Sequence, residues 1–301
     1  MSSLPLPPEA LVVRVGWDLH SRHPADVYVE RGREQWRLIK SLLPQEWSFD
    51  GKRVLDFGCG AGRVVRHALS EDPSAEYWGC DIDARSIEWM RANLSPLHVF
   101  QTADWPPTQL PDGQFDLIFA FSVFTHLLDS WSAWLLELHR LLAADAVAII
   151  TVFGPGISAH GDVPLGEEFN GMNMLSPGID WEKGGPLILH SEWWLRAHWG
   201  RAFEIVALRP GDPGGPPPLF GQSILVLRRR PGSFTTQELE RFEPDEPREL
   251  AAVMANLASL RREVEDKTEA IGVFETSRSW RLTAPLRAVA KLLRGRDGSP
   301  G

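Results

Sequence analysis

A short apolar strand, Arg53-Val-Leu-Asp-Phe57, runs directly into Gly58-Cys-Gly-Ala-Gly62-Arg63. Three glycines spaced two apart after a strand force a sharp turn, and their missing Cβ atoms let backbone come close to a ligand. Beyond the turn, Val64, Val65, Ala68 and Leu69 fall on one face of a helix expected over 62–71. The segment therefore reads as the strand–turn–helix opening of an α/β sheet.

The same alternation continues on both sides of this unit. Residues 27–43 predict a helix, with Trp36, Ile39, Leu42 and Leu43 on one stripe and Pro44 closing it. After the turn come strand 75–80, helix 84–94, strands 97–101 and 115–124, helix 130–143 and strand 146–153. Strands separated by helices of this length predict a doubly wound, mostly parallel sheet covered on both faces. Residues 154–189 are rich in Gly, Pro, Asn and Met and lack a period, which fits either a lid-like binding segment or a surface insertion. Helix 191–200 follows, then strands 203–208 and 221–230 joined by Pro210-Gly-Asp-Pro-Gly-Gly-Pro-Pro-Pro218, an antiparallel finish at the sheet's edge.

Charge divides the chain into three zones. Residues 1–232 carry 20 basic and 28 acidic side chains, 233–275 carry 5 and 11, and 276–301 carry 6 and 1. This predicts a globular body, an acidic connector and a basic terminal segment. The net charge of −9 argues against a general nucleic-acid binder, which needs a basic footprint on phosphates. No apolar run reaches the roughly 18 to 20 residues that span a bilayer. The N-terminus lacks the pattern of a secretory signal, and two cysteines cannot form a disulfide framework, so a cytoplasmic setting is expected.

Several acidic residues accompany the glycine turn. Asp56 lies two positions before Gly58, where it would repel a pyrophosphate and welcome an ammonium group. Arg63 occupies the sixth position of the dinucleotide fingerprint, where close helix–strand packing calls for Gly or Ala. Asp81 ends the second strand, 19 residues after Gly62, where a carboxylate can accept both hydroxyls of a ribose. Asp83 is placed to cap the next helix. Asp104, after the third strand, is within reach of an adenine amino group or is an ordinary loop aspartate.

Asp56-Phe-Gly-Cys-Gly-Ala-Gly62, Cys80-Asp81, Ala103-Asp104 and the run Phe115–His126 occur in order and at typical spacing. Together they resemble the class I S-adenosylmethionine (SAM)-dependent methyltransferases over about residues 50–153. The resemblance implies a seven-stranded Rossmann-like sheet and SAM as cofactor. It places Asp56, Gly58, Gly60 and Gly62 at the methionine end, Asp81 at the ribose, Asp104 at the adenine, and Phe121 and Ser122 beside the methyl group.

An alcohol acceptor gains from a base. His126, following the fourth strand, is the first candidate, also readable as a helix-start histidine that hydrogen-bonds backbone; His190, at the end of the irregular segment, is the second. His160 and Asp162 are too few for a metal site, and no metal is expected. Trp181, Trp193, Trp194 and Trp199 offer either aromatic faces for a sugar ring or ordinary core.

In the tail, Leu250, Val253, Leu257, Leu260, Val264, Lys267, Ile271 and Phe274 form a heptad seam, suited to a coiled-coil homodimer or to packing on the body. Gly272 should weaken its end. Beyond it, Leu286, Val289, Ala290 and Leu293 face one way while Arg287, Lys291 and Arg294 face another. Such a basic amphipathic helix suits the anionic inner face of a membrane, or a protein partner. The string Ser279-Trp-Arg-Leu-Thr-Ala-Pro-Leu-Arg287 resembles a tail segment of bacterial glycosyltransferases and other polysaccharide-assembly proteins. The expectation is thus O-methylation of a sugar or glycan precursor. The alternatives are an unrelated small-molecule or lipid acceptor, or a non-catalytic adaptor that recruits glycan enzymes.

Overall fold

The computed structural model describes residues 4–14, 23–154, 171–174, 185–211 and 221–283. It divides into two compact units, residues 1–255 and 256–301. The first opens with helices α1 (Glu9–Arg14) and α2 (Pro24–Leu42). Strand β1 (Arg53–Phe57), helix α3 (Val65–Glu71), strand β2 (Glu76–Asp81), helix α4 (Ala84–Asn93) and strand β3 (His98–Gln101) follow. Next come β4 (Phe115–Ala120), α5 (Trp131–Leu141), β5 (Leu142–Val152), the short pair β6 (Met172–Met174) and β7 (Ile188–His190), α6 (Glu192–Ala202), β8 (Phe203–Arg209) and β9 (Ser223–Arg229).

The sheet has seven strands in the order β3-β2-β1-β4-β5-β9-β8. The first five pair in parallel, while β9 runs antiparallel to both β5 and β8. The expected terminal hairpin is present, with β9 inserted between β5 and β8. Chain order reverses between β1 and β4, and in doubly wound sheets the ligand crevice opens beyond the carboxyl ends of strands at that point.

Alternating side chains divide the core between the two faces. Val54, Leu117, Phe119 and Phe121 pack with Trp36, Ile39, Val65 and Met90 from α2, α3 and α4. Leu55, Phe57, Ile118 and Ala120 pack with Trp134, Leu138, Leu195 and Trp199 from α5 and α6. Burying one such large side chain contributes about 1.5 to 3 kcal/mol. Trp36 is wholly buried, and its indole N–H donates to Asp72 Oδ2 at 2.8 Å, tying α2 to the end of α3.

Three boundaries differ from expectation for local reasons. α3 begins at Val65 because Gly60 and Gly62 hold positive φ angles of 52° and 80°. β4 ends at Ala120 because Ser122 turns to φ 60°. β5 begins at Leu142, directly after α5, and pairs with Phe115 across a register shift.

The first unit extends past the expected body, 1–232. Thr235 caps α7 (Thr236–Glu240) in a reciprocal capping box with Glu238, and Leu239 is buried. Helix α8 (Pro247–Thr276) begins with Glu249 and Ala252 buried, Glu249 Oε1 lying 2.9 Å from His198 Nε2. In the second unit α8 continues through Gly272 without a break, and α9 (Arg278–Leu282) follows. Leu257, Leu260, Val264, Ile271 and Phe274 of the heptad seam are exposed. The basic amphipathic segment beyond Thr283 lies outside the described residues. Among the described residues no helix is long and apolar enough to cross a membrane.

Candidate active site

The glycine turn is fastened to the end of β2. The Gly58 and Cys59 amides donate to the Cys80 carbonyl at 2.8 and 2.9 Å, and the Gly60 amide donates to Asp81 Oδ2 at 2.7 Å. Gly58 has φ 74°, and a Cβ there would lie 2.2 Å from Val123 Cγ2, so only glycine fits. Asp81 Oδ1 accepts the Asp83 amide at 2.9 Å. Each carboxylate oxygen thus accepts one backbone amide. Asp83 caps α4, as expected, accepting from the Ser86 amide and hydroxyl.

Asp56 is buried within β1, opposite Gly79 on one side and Phe119 on the other. Burial pushes its carboxyl up to about 8, against the opposing pull of the Arg63 guanidinium and the Val65 amide. Its Oδ2 has no hydrogen-bond partner. A buried carboxyl short of donors is repaired by a ligand that brings N–H groups and positive charge, so the residue fits an ammonium group. Arg63 is itself buried, and α2 lies over this corner: the Tyr28 hydroxyl donates to the Ala61 carbonyl at 2.9 Å.

Asp104 is exposed in the loop after β3. That loop is pinned by Trp134 Nε1 donating to the Asp104 carbonyl at 3.2 Å, and by Glu137 accepting the Thr108 amide and hydroxyl at 2.8 and 2.6 Å. Two residues missed by sequence reasoning stand next to the acidic pair: Ile82 and Trp105 are 45% and 54% exposed. A large apolar side chain exposed directly after an aspartate can offer a flat ring a stacking surface. Their signal in the sequence was a bulky apolar residue directly after each aspartate.

Phe121 is buried against Phe119, and Ser122 sits at the carboxyl end of β4. Both histidine candidates are brought to this end of the sheet. The β7 start is tied to the turn after β4 by the Ile188 amide donating to the Thr125 carbonyl at 2.8 Å, and the His190 amide donates to the Phe153 carbonyl at 2.7 Å. Their environments separate their roles. His126 Nδ1 lies 2.8 Å from the Pro186 carbonyl, which only accepts, so Nδ1 carries the proton and Nε2 the lone pair. Burial lowers the His126 pKa and keeps the ring neutral. His190 is 1% exposed, lies between Trp194 and Trp199, has no partner on either ring nitrogen, and is driven by burial down to about 3. A ring so sealed is poorly matched to proton transfer at neutral pH. Of the two candidates, the geometry favours His126.

Of the two readings of the late tryptophans, the core reading holds for Trp194 and Trp199. Trp194 and Trp199 are core residues, packed against Trp131 and Phe124, and Trp193 is covered by the Arg248 guanidinium 4.9 Å from its ring. Trp194 and Trp199 are buried and offer no face to a sugar; Trp181 lies outside the described residues, as do His160 and Asp162. Among the described residues no group of His, Cys, Asp and Glu could hold a metal ion.

Part of the chain is similar to known methyltransferases. Residues 55–148 match the family model described as a methyltransferase domain. Trans-aconitate 2-methyltransferase of Rhodopseudomonas palustris (strain BisA53) is 33% identical over 100 residues, 33% of this chain and 38% of that relative. A probable chloroplastic tocopherol O-methyltransferase of Oryza sativa subsp. japonica is 29% identical over 153 residues, 46% of this chain and 42% of that one. The chain thus spans less than half the length of these relatives. A solved SAM-dependent methyltransferase from Mesorhizobium loti is 19% identical with TM-score 0.46, covering 65% of this chain and 97% of that one. Residues 55–148 are thus similar to a methyltransferase domain, and they lie in a Rossmann-like sheet.

Asp56 gives this assignment a test that needs no acceptor. With its carboxyl near 8 in the ligand-free protein, Asp56 keeps its proton at pH 7. An adjacent ammonium group favours the ionised form, so SAM binding at pH 7 should release about one proton. Calorimetry repeated in buffers of different ionisation enthalpy measures that release, and Asp56→Asn should abolish it. Binding with no proton release in the wild type would place the ammonium group elsewhere.

Proposed function

We propose that the full chain is a SAM-dependent methyltransferase that O-methylates a hydroxyl of a sugar or glycan precursor in bacterial cell-surface polysaccharide synthesis. When bound, SAM supplies a methyl group already activated on a sulfonium centre, so the protein's task is alignment and proton removal. Asp56 and the glycine turn would hold the amino-acid end, Asp81 the ribose, and Ile82, Trp105 and Asp104 the adenine. The carboxyl ends of β4 and β5 then face the acceptor.

The observation that carries oxygen as the acceptor is the state of His126. Its Nδ1 proton is committed to the Pro186 carbonyl, which leaves Nε2 as the basic atom of a neutral ring at the crevice end of the sheet. The tocopherol relative is by name an O-methyltransferase, which supports the same class. The glycan acceptor rests on the tail string Ser279–Arg287, whose resemblance points to polysaccharide assembly. The names of the relatives point to varied acceptors, so they do not choose among alcohols.

His126→Ala should lower turnover by roughly 10² to 10⁴ while SAM affinity stays at the wild-type value. Single-turnover kinetics beside calorimetry separates the two. Undiminished turnover would remove His126 from the chemistry. Mass spectrometry of surface glycans with and without the gene tests the acceptor, and an unchanged methylation pattern would exclude glycans.

The tail is proposed to bring the enzyme to an anionic membrane surface. Residues 276–301 carry 6 basic side chains and 1 acidic, and each basic residue near such a surface contributes about 1 kcal/mol, less at high salt. Full-length protein should float with anionic vesicles at low salt and dissociate as salt rises. A chain ending at Phe274 should not float. Full-length protein that ignores anionic vesicles would leave a protein partner as the tail's target.

A further inference from the structure

Among the described residues, Ser122 is the one non-glycine residue with a positive φ, 60°. An L-residue there is strained because its Cβ crowds the neighbouring carbonyl, whereas glycine occupies the region freely. Such strain persists only where the surroundings fix the residue from several sides, and it concentrates at functional sites.

The surroundings of Ser122 are specific. Its amide donates to Thr151 Oγ1 at 2.8 Å. Gln222 Nε2 donates to its hydroxyl at 2.8 Å, and Gln222 Oε1 lies 3.2 Å from the same oxygen. Thr151 belongs to the end of β5 and Gln222 to the approach to β9, so three separate chain segments converge on one residue. Thr151 and Gln222 are 0% and 4% exposed. Valine and leucine would fill those positions without polar atoms to satisfy. The buried hydroxyl and carboxamide are spent on holding Ser122.

The residue after Ser122 carries the effect across the crevice. Val123 fills the space above Gly58, where a Cβ would come within 2.2 Å of Val123 Cγ2. The direction in which Ser122 sends the chain therefore sets how Val123 packs on the glycine turn. A contact chain runs from the last strand through Gln222 and Thr151 to Ser122, then Val123, then the turn that Asp81 anchors from its other side.

We infer that Thr151 and Gln222 are positioning residues: they hold Ser122 in the left-handed conformation, and through Val123 they fix the glycine turn that receives the methyl donor. This rests on the cofactor reading given above. Neither residue touches the cofactor in this account; both act through Ser122.

The test is a set of calorimetric titrations of SAM into the full-length chain, with thermal midpoints recorded for every variant. Thr151→Val and Gln222→Leu should each weaken SAM about five- to tenfold, the effect of one lost hydrogen bond. Thr151→Ser, which keeps the hydroxyl, should restore most of the affinity. Ser122→Gly should raise the thermal midpoint, because glycine accepts that φ without strain. In the Ser122→Gly background, Thr151→Val should cost clearly less affinity than in the wild type, a coupling that a merely structural role would not produce. Wild-type affinity in both Thr151→Val and Gln222→Leu would overturn the inference. So would an equal cost of Thr151→Val in the two backgrounds. A wild type that binds no SAM would instead overturn the cofactor reading, and the inference with it.

Discussion

The site depends on how the glycine turn is held. Its amides are spent on the end of β2: Gly58 and Cys59 on the Cys80 carbonyl, Gly60 on the Asp81 carboxylate. Those bonds require β1 and β2 to pair in register, with Phe57 opposite Cys80, so that the turn leaves the sheet beside Asp81. They also require positive φ at Gly58 and Gly60, which a side chain would resist. One carboxylate thereby joins the sheet's pairing to the ligand crevice. If Asp81 were displaced, the turn would lose its clamp, and on the proposed reading the ribose would lose its acceptor with it.

The second constraint is electrostatic. Asp56 sits inside the first strand, where burial raises its carboxyl to about 8 and leaves Oδ2 without a donor. A buried unsatisfied polar group costs about 1 to 3 kcal/mol, which the ligand-free fold bears and an ammonium ligand would relieve. By linkage, a carboxyl raised above its ordinary value of 3.8 favours the ligand-free fold at low pH, and that contribution is lost as pH rises toward 8. A matched cation reverses the preference. The buried Asp56 carboxyl is poised to accept positive charge, which a pyrophosphate does not bring.

Much of this was legible in the sequence. The strand ending on Gly58, Gly60 and Gly62 and the acidic residues at 56, 81 and 104 follow from chain-local chemistry: short apolar runs, turn glycines and strand-end carboxylates. The mostly parallel, doubly wound sheet and its antiparallel finish also followed from the pattern of elements. What was hidden depends on contacts between distant segments. Thr151 and Gln222 read as ordinary strand residues until β5 and β9 bring them to Ser122. His126 and His190 were the first and second candidates for the base. Only burial separates them, since one is turned to the Pro186 carbonyl and the other is sealed between two indoles. Trp194 and Trp199 suggested sugar-binding faces because aromatic content reveals nothing of which side is covered.

The most direct measurement is a pair of calorimetric titrations of the full-length chain, one with SAM and one with NAD, each repeated with Asp81→Ala. The account predicts saturable binding of SAM and no comparable binding of NAD. It also predicts that losing the Asp81 carboxylate weakens SAM by about 1.5 to 3 kcal/mol for each charge-assisted hydrogen bond removed. Tight binding of NAD with no binding of SAM would contradict it.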